Sequence, residues 1–162
     1  MKKTLTLLLA LAMATAGAMA KDAKDIIKKY QDTEKVEHVH IPPVLMKLAR
    51  MSAKKNDKDK TTQLVLKSIK SMDILCMDDC KKAVKERVTK DFDNLESEGY
   101  EHFLSTSSDK EKVKIMMLEK KEAIRELVLL IHDDDDCTLI LLEGEMSPED
   151  IQTIVDSQTQ DK

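Results

Sequence analysis

The sequence has few of the residues from which nucleotide and nucleic-acid sites are usually built. Its 162 residues include three glycines, three prolines, two tyrosines, two phenylalanines and no tryptophan. Gly99 and Gly144 are the only glycines beyond residue 20, so no phosphate-binding loop, dinucleotide fingerprint or nucleophile elbow can be assembled. The scarcity of aromatic rings removes the stacking platforms used by single-stranded nucleic acids, and it also disfavours carbohydrate binding.

An apolar run of about 20 residues, the length that spans a bilayer, is also missing. Near the N-terminus, two lysines precede a shorter apolar segment at residues 5–13, and Ala18-Met19-Ala20 has the small-x-small pattern of a cleavage site. These features predict a secretory signal peptide over residues 1–20. We therefore expect a periplasmic or secreted protein that is cleaved near Ala20 and has no transmembrane segment afterwards.

The predicted mature chain is acidic. Without residues 1–20 it has 25 Lys and Arg against 31 Asp and Glu, a net charge of −6 with neutral histidines. This balance argues against nucleic acid as a partner, because binding to phosphates needs an excess of positive charge. About 140 residues suffice for one hydrophobic core. We predict a single domain over residues 21–156, followed by a polar tail at 157–162.

Hydrophobic periodicity predicts a mixture of helices and strands. Helices are expected near residues 24–31, 44–51, 61–70, 78–97 and after Ser147, and strands over residues 36–41, 72–76, 100–105, 113–119, 124–132 and 137–145. Asp78 or Asp79 is a suitable N-cap for the long helix, and Gly99 is expected to end it. Ser147 followed by Pro148 is a clear helix start. The helix after the proline pair at 42–43 has an apolar side formed by four residues, Val44, Leu45, Leu48 and Met51.

The last three predicted strands form the densest apolar block of the mature chain. The segments 127–131 and 139–142 place apolar side chains on both faces of a strand, as expected for central strands that are covered on two sides. Short connections favour an antiparallel meander of the last four strands. The predicted fold class is α+β, a two-layer domain in which helices pack on a mostly antiparallel sheet that also includes the early strands. The second sheet face then needs a loop, a terminal helix or a partner.

Four consecutive acids, Asp133, Asp134, Asp135 and Asp136, lie between two apolar strands and suggest a calcium site. A calcium-binding loop of the EF-hand type needs alternating oxygen ligands, a glycine and a distal glutamate. That spacing is absent here. A solvated hairpin turn also explains the four acids, because Asp tolerates turn geometry.

His38 and His40 share one face of a predicted strand, which is a usable spacing for two zinc ligands. The sequence places no third ligand beside them. The three cysteines, Cys76, Cys80 and Cys137, are an odd number for an exported protein. A Cys76–Cys80 disulfide across the predicted strand-to-helix turn is possible, although so small a loop adds little stability. Reduced structural thiols are the alternative.

The order of segments resembles an exported bacterial family called domain of unknown function 4252. The resemblance extends from about Asp25 to Val155. It is carried by the segments Val36–Ile41, Lys112–Met116, Ile124–Leu130, Thr138–Gly144 and Glu149–Ile151. The resemblance implies a small envelope protein with no assigned activity or catalytic residue, so no functional residue is transferred from the family.

The leading functional hypothesis is a non-enzymatic binding or accessory protein of the cell envelope. It would act on an unknown envelope protein or a small ligand through an exposed sheet face or edge. We predict no catalytic residues and no cofactor. The alternative is a metal- or redox-active protein that uses His38 and His40, the acidic run at 133–136 or the cysteines.

Overall fold

The computed structural model describes residues 20–55, 60–108 and 110–152, apart from the side chains of residues 53–55, 60–62 and 65. Most of the predicted signal peptide and the whole predicted polar tail at 157–162 lie outside the described residues. The elements in chain order are α1 (Ala23–Tyr30), β1 (Glu37–Ile41), α2 (Pro43–Lys55), α3 (Lys60–Ser68), β2 (Ile69–Cys76), α4 (Lys82–Asp93), a 3-10 helix (Asn94–Glu98), β3 (Glu101–Ser107), β4 (Glu111–Lys120), β5 (Ala123–Asp133) and β6 (Cys137–Met146). A C-terminal helix begins at Pro148, and its described part runs to residue 152.

The six strands form one open sheet in the order β1-β2-β6-β5-β4-β3. Every neighbouring pair is antiparallel, which confirms the predicted α+β class and the meander from β3 to β6. The two early strands extend the same sheet, because β2 pairs with β6 and β1 lies at the edge. The densest apolar strands of the sequence, β5 and β6, are therefore central.

One face of the sheet, here called the closed face, lies under α1 and α4. Its core is a continuous cluster in which the helix residues Ile26, Val88 and Phe92 contact the strand residues Leu75 and Leu139, all fully buried. The helices are amphipathic, and their apolar sides face the strands. Burial of this kind contributes about 25 cal/mol for each Å² of apolar surface removed from water. The closed face therefore holds the main core.

The opposite face, here called the outer face, is covered at one end only. There α2, α3 and the C-terminal helix contribute to a smaller cluster that includes Met46, Ile69, Ile124, Met146 and Ile151. Gly144 of β6 allows this contact, because a Cβ at that position would lie 2.0 Å from the backbone oxygen of Ser68. The absence of a side chain thus lets the end of α3 approach the sheet closely.

Three predicted helix ends have different outcomes. Ser147 caps the C-terminal helix as predicted, because its hydroxyl accepts a hydrogen bond from the Asp150 backbone N–H at 3.0 Å. Gly99 ends the long helical segment with a φ of +96°, a conformation that glycine adopts without strain. The predicted cap at Asp78 or Asp79 is wrong, since α4 begins only at Lys82. These two acids lie in a turn closed by the bond from the Cys80 N–H to the Met77 carbonyl.

Candidate functional site

A polar cluster of three side chains lies where β1 and β2 pair at the edge of the sheet. His38 Nε2 and His40 Nδ1 are each 2.8 Å from the same carboxylate oxygen, Oδ1 of Asp73. The antiparallel register places His40 opposite Asp73 and His38 opposite Leu75, so all three polar side chains share the closed-face side. Asp73 is buried, His38 is mostly buried and His40 is half exposed.

The shared carboxylate determines which ring nitrogens carry protons. A carboxylate oxygen accepts hydrogen bonds, so the Nε2 of His38 and the Nδ1 of His40 both act as N–H donors toward it. In the neutral rings, the opposite nitrogens, Nδ1 of His38 and Nε2 of His40, then have free lone pairs. A carboxylate that orients an imidazole in this way also occurs behind histidines that bind metals or transfer protons. The two ring centroids are 6.4 Å apart.

A second polar group continues across the same side of the sheet. The hydroxyl of Ser71 donates to Oε2 of Glu143 at 2.9 Å, and the Lys24 ammonium of α1 contacts Oε1 of the same carboxylate at 2.5 Å. The hydrogen bond to Glu143 raises the pKa of Lys24 above its ordinary value. On the neighbouring strand, the Tyr100 hydroxyl donates to Glu126 at 2.5 Å. Ser71 is thus paired with an acid and not with a histidine.

The acidic run at 133–136 is the turn between β5 and β6. The Oδ1 of Asp133 accepts the backbone N–H groups of Asp135 and Asp136 at 2.8 and 2.6 Å. These two bonds hold the pKa of Asp133 below its ordinary value. The buried ammonium of Lys85 donates to the carbonyls of Asp78 and Asp135 and so ties the turn to the start of α4. Within the described ranges, no three His, Cys, Asp or Glu side chains are arranged to hold a metal ion.

The three cysteines are free thiols in this structure, so the possible Cys76–Cys80 disulfide is not formed. Cys80 and Cys137 belong to the core of the closed face, whereas strand alternation places Cys76 on the outer face. The Cys80 thiol donates to the Lys35 carbonyl at 3.0 Å. Burial raises the pKa of all three thiols, that of Cys137 to about 11. Raised values lower the thiolate fraction and make the thiols weak nucleophiles.

The apolar side of α2 points away from the sheet. Val44, Leu45, Leu48 and Met51 are 66%, 49%, 57% and 56% exposed, while Met46 on the other side of the helix is only 5% exposed. At 100° per residue, Val44, Leu48 and Met51 lie within about 60° of one another. We call these four exposed residues the outer stripe. The sequence correctly showed which residues form the apolar side of α2 but not that this side faces solvent.

A second apolar area lies on the outer face of the sheet, beyond the end covered by helices. Its members are the strand residues Val39, Ile74, Val113, Ile131 and Ile140, here called the open sheet surface. Val39 is 48% exposed and the other four are partly exposed. The face that the sequence left in need of cover is therefore the one opposite α1 and α4, at the end near the β5–β6 turn.

The comparison with protein families identifies the kind of domain. A model of the family described as Domain of unknown function (DUF4252) matches residues 30–154. The chain belongs to this family. No curated protein and no solved structure matches this DUF4252 chain significantly. Among its described helices, none is long and apolar enough to cross a membrane.

Asp73 is the member of the polar cluster that sequence reasoning missed. The spacing of His38 and His40 correctly placed both rings on one side of a strand. The available signal for the third member was an acid inside the otherwise apolar predicted strand 72–76, since Asp73 lies between Met72 and Ile74. A buried acid needs a partner. The partner could not be identified from the sequence because β1 and β2 are separated by two helices.

Proposed function

We propose that this DUF4252 protein is a non-enzymatic binding or accessory protein of the cell envelope, acting through the outer stripe and the open sheet surface. The observation that carries the proposal is the orientation of α2. Helices on globular domains normally bury their apolar side, whereas the four residues of the outer stripe are about half exposed or more. Single exposed apolar residues are common, but a contiguous apolar area usually marks an interaction site.

The orientation of α2 is well defined by contacts on its inner side. Met46 is buried in the smaller cluster, and the Arg50 guanidinium donates to the Lys67 carbonyl of α3 at 3.3 Å. The helix starts at Pro43, and the carbonyl of Pro42 accepts the N–H groups of Leu45 and Met46. These contacts hold the outer stripe outward without using any of its side chains.

The assignment to the envelope rests on the N-terminal sequence. Two lysines, the apolar segment at 5–13 and the small residues at 18–20 form a signal-peptide pattern. An exported domain with an exposed apolar area would meet its partner in the envelope. We expect cleavage near Ala20, which N-terminal sequencing of the exported protein would test.

The non-enzymatic part of the proposal is supported by the pairing within the polar clusters. The only hydroxyl side chain on β2, Ser71, donates to Glu143, so it is not activated by His38 or His40. Both histidines use a ring nitrogen to bind Asp73. Nucleophilic catalysis by a hydroxyl or thiol needs a base hydrogen-bonded to that group, and among the described residues both rings pair with Asp73 and with no hydroxyl or thiol.

Retention by envelope membranes tests the proposed function. The wild-type protein and the Leu48→Glu variant would be mixed with the envelope fraction of the native organism and sedimented. We expect the wild type in the pellet and the variant in the supernatant, because a carboxylate in the outer stripe opposes burial of that surface. Ala83→Glu is the matched control, since Ala83 is also an exposed apolar residue of a helix but lies on α4, over the closed face. Equal sedimentation of all three proteins would refute the proposal.

The second candidate function is metal binding by His38 and His40. It is favoured by one observation: Asp73 orients both rings and leaves one nitrogen of each without the shared bond. Transition metals prefer imidazole ligands that are oriented in this way. Elemental analysis of protein purified from its own compartment would decide, with Asp73→Asn as the matched variant. Absence of stoichiometric metal would end this alternative.

A further inference from the structure

We propose that the outer stripe of α2 docks on the surface of a membrane that contains anionic phospholipids. This inference rests on the proposed binding role of the same surface and names its partner. Two properties of the α2–α3 hairpin support it: the outward apolar side of α2 and the distribution of charge around it. The proposed contact is peripheral, with the helix lying in the plane of the membrane interface.

The distribution of charge is strongly uneven along the chain. The hairpin with its connecting loop, residues 43–68, has seven basic and two acidic residues, a net charge of +5. The remainder of the chain has 20 basic and 29 acidic residues, a net charge of −9. The hairpin is therefore a basic region on an acidic protein. An acidic remainder is repelled by an anionic surface, so the protein would approach such a surface with the hairpin first.

The basic and apolar groups lie next to each other on the helix. Lys47 is exposed, and at 100° per residue it lies about 40° from Met51. Lys67 at the end of α3 is also exposed, but it lines a pocket with the acids Glu122, Glu145 and Asp150, so Lys47 is the cation on which the proposed contact relies. Helices that bind membrane interfaces combine an apolar side with flanking Lys and Arg, and their binding grows with both apolar area and charge. Each Lys or Arg near an anionic surface strengthens such binding about fivefold.

Charge and shape together favour lipid over other occupants. A nucleic acid would use the lysines but would leave Val44, Leu45, Leu48 and Met51 in water. A symmetric dimer through this surface would bring two basic hairpins together, and like charges oppose that contact. An anionic bilayer satisfies both groups at once, with headgroups beside the ammonium groups and acyl chains beside the outer stripe.

Flotation with lipid vesicles tests the inference. Wild type, Leu48→Glu, Lys47→Gln and the control Ala83→Glu would be purified in the same processed form, checked by mass spectrometry, so that any contribution of residues 1–20 is equal. One set of vesicles would be phosphatidylcholine alone. The other would contain about 30% phosphatidylglycerol, an anionic lipid that gives the vesicle a strongly negative surface potential. The readouts are the fraction of protein that floats and its dependence on salt.

We expect wild type and Ala83→Glu to float with anionic vesicles, and much less with phosphatidylcholine alone. Leu48→Glu should lower the partition coefficient at least about tenfold, since one buried leucine contributes that much to interfacial binding. Lys47→Gln should lower it about fivefold, and raising the salt concentration from 0.1 to about 0.5 M should weaken binding in proportion to screening.

Three results would overturn the inference. The first is no flotation of the wild type with anionic vesicles. The second is equal flotation of wild type and Leu48→Glu. The third is a wild-type dimer that Leu48→Glu converts to monomer, which would assign the stripe to a second copy. If envelope sedimentation depends on Leu48 but vesicle flotation fails, and protease treatment of the envelope abolishes sedimentation, then the lipid inference is wrong while the proposed binding function stands.

Discussion

The two faces of the sheet differ in how completely the chain covers them. On the closed face, α1 and α4 bury their apolar sides, and Phe92, Leu75 and Leu139 are fully inaccessible to solvent. On the outer face, α2 packs through Met46 and turns its larger apolar side outward. The same hydrophobic effect acts on both faces. The closed face therefore forms the main hydrophobic core, whereas part of the apolar surface on the outer face stays exposed and is available to a partner.

Leucines on the two faces provide the sharpest test of this difference. Leu139→Ala on the closed face should lower the free energy of unfolding by about 2–5 kcal/mol, because a fully buried side chain leaves a cavity. Leu48→Ala in the outer stripe should change it by less than about 0.5 kcal/mol. Urea unfolding followed by circular dichroism measures both. Similar losses for the two variants would show that the outer stripe is covered in solution.

Gly144→Ala tests how the outer layer is attached. A new Cβ would meet backbone atoms of Ser68 and Ile69 at 2.0 to 3.1 Å, and backbone cannot move aside as a flexible side chain can. We expect the free energy of unfolding to fall by about 3 kcal/mol, which is at the upper end of the losses caused by overpacking a core. Gly99→Ala is the control: there no atom lies within 4 Å, and only the positive φ opposes the substitution. Hydrogen exchange would show whether α3 loses protection first. An unchanged α3 would contradict the packing described.

The pH dependence of stability probes the closed face alone. Burial raises the pKa of Cys137 from its ordinary value of about 9 to about 11. The unfolded chain therefore loses this proton first, and the stability associated with the neutral thiol is full below pH 9 and lost as the pH rises to 11. The slope is about 1.4 kcal/mol per pH unit. Both tyrosines also have raised pKa values, so the measurement is the difference between wild type and Cys137→Ala. Parallel pH curves would contradict the prediction.

Removal of the C-terminal helix cap should have the smallest of these effects on the fold. Ser147→Ala removes the oxygen that accepts the Asp150 N–H, a loss of about 1 kcal/mol that is confined to the helix. Hydrogen exchange at residues 148–152 should increase while the strands keep their protection. Ser147→Asp is the control, because aspartate also caps helices. A global loss of stability would show that this helix supports the whole outer face.

The patterns that predicted the fold correctly were local. Alternation placed His38 and His40 on one side of β1, and continuous apolar runs placed β5 and β6 at the centre of the sheet. The cap at Ser147 and the stop at Gly99 were also correct, since a cap depends on residues within one helical turn. The wrong cap at Asp78 or Asp79 has a tertiary cause. The Met77 N–H bonds to the Cys137 carbonyl, so the chain continues along the sheet before it turns into α4.

The candidate site was only half visible in the sequence. The two histidines were identified, but Asp73 was not, because the pairing of β1 with β2 across two intervening helices is a long-range contact. The four acids at 133–136 suggested a metal site. In the structure, the Asp133 carboxylate accepts a backbone N–H of the turn, and Lys85 donates to the Asp135 carbonyl. The residues of the outer stripe were identified as one apolar side of a helix. Their direction was not, since periodicity shows which residues share a side but not what that side faces.

The sequence by itself determined the class of fold, the family, the order of elements and the two histidines on one strand side. These properties follow from spacing along the chain, where neighbouring residues in a helix or strand have fixed relative directions. Only the tertiary structure decided that Asp73 joins the two rings, that the cysteines lie apart on two faces, and that α2 presents Val44, Leu48 and Met51 to solvent. Those outcomes depend on which surfaces remain after the closed face has formed, and burial is a property of the whole fold.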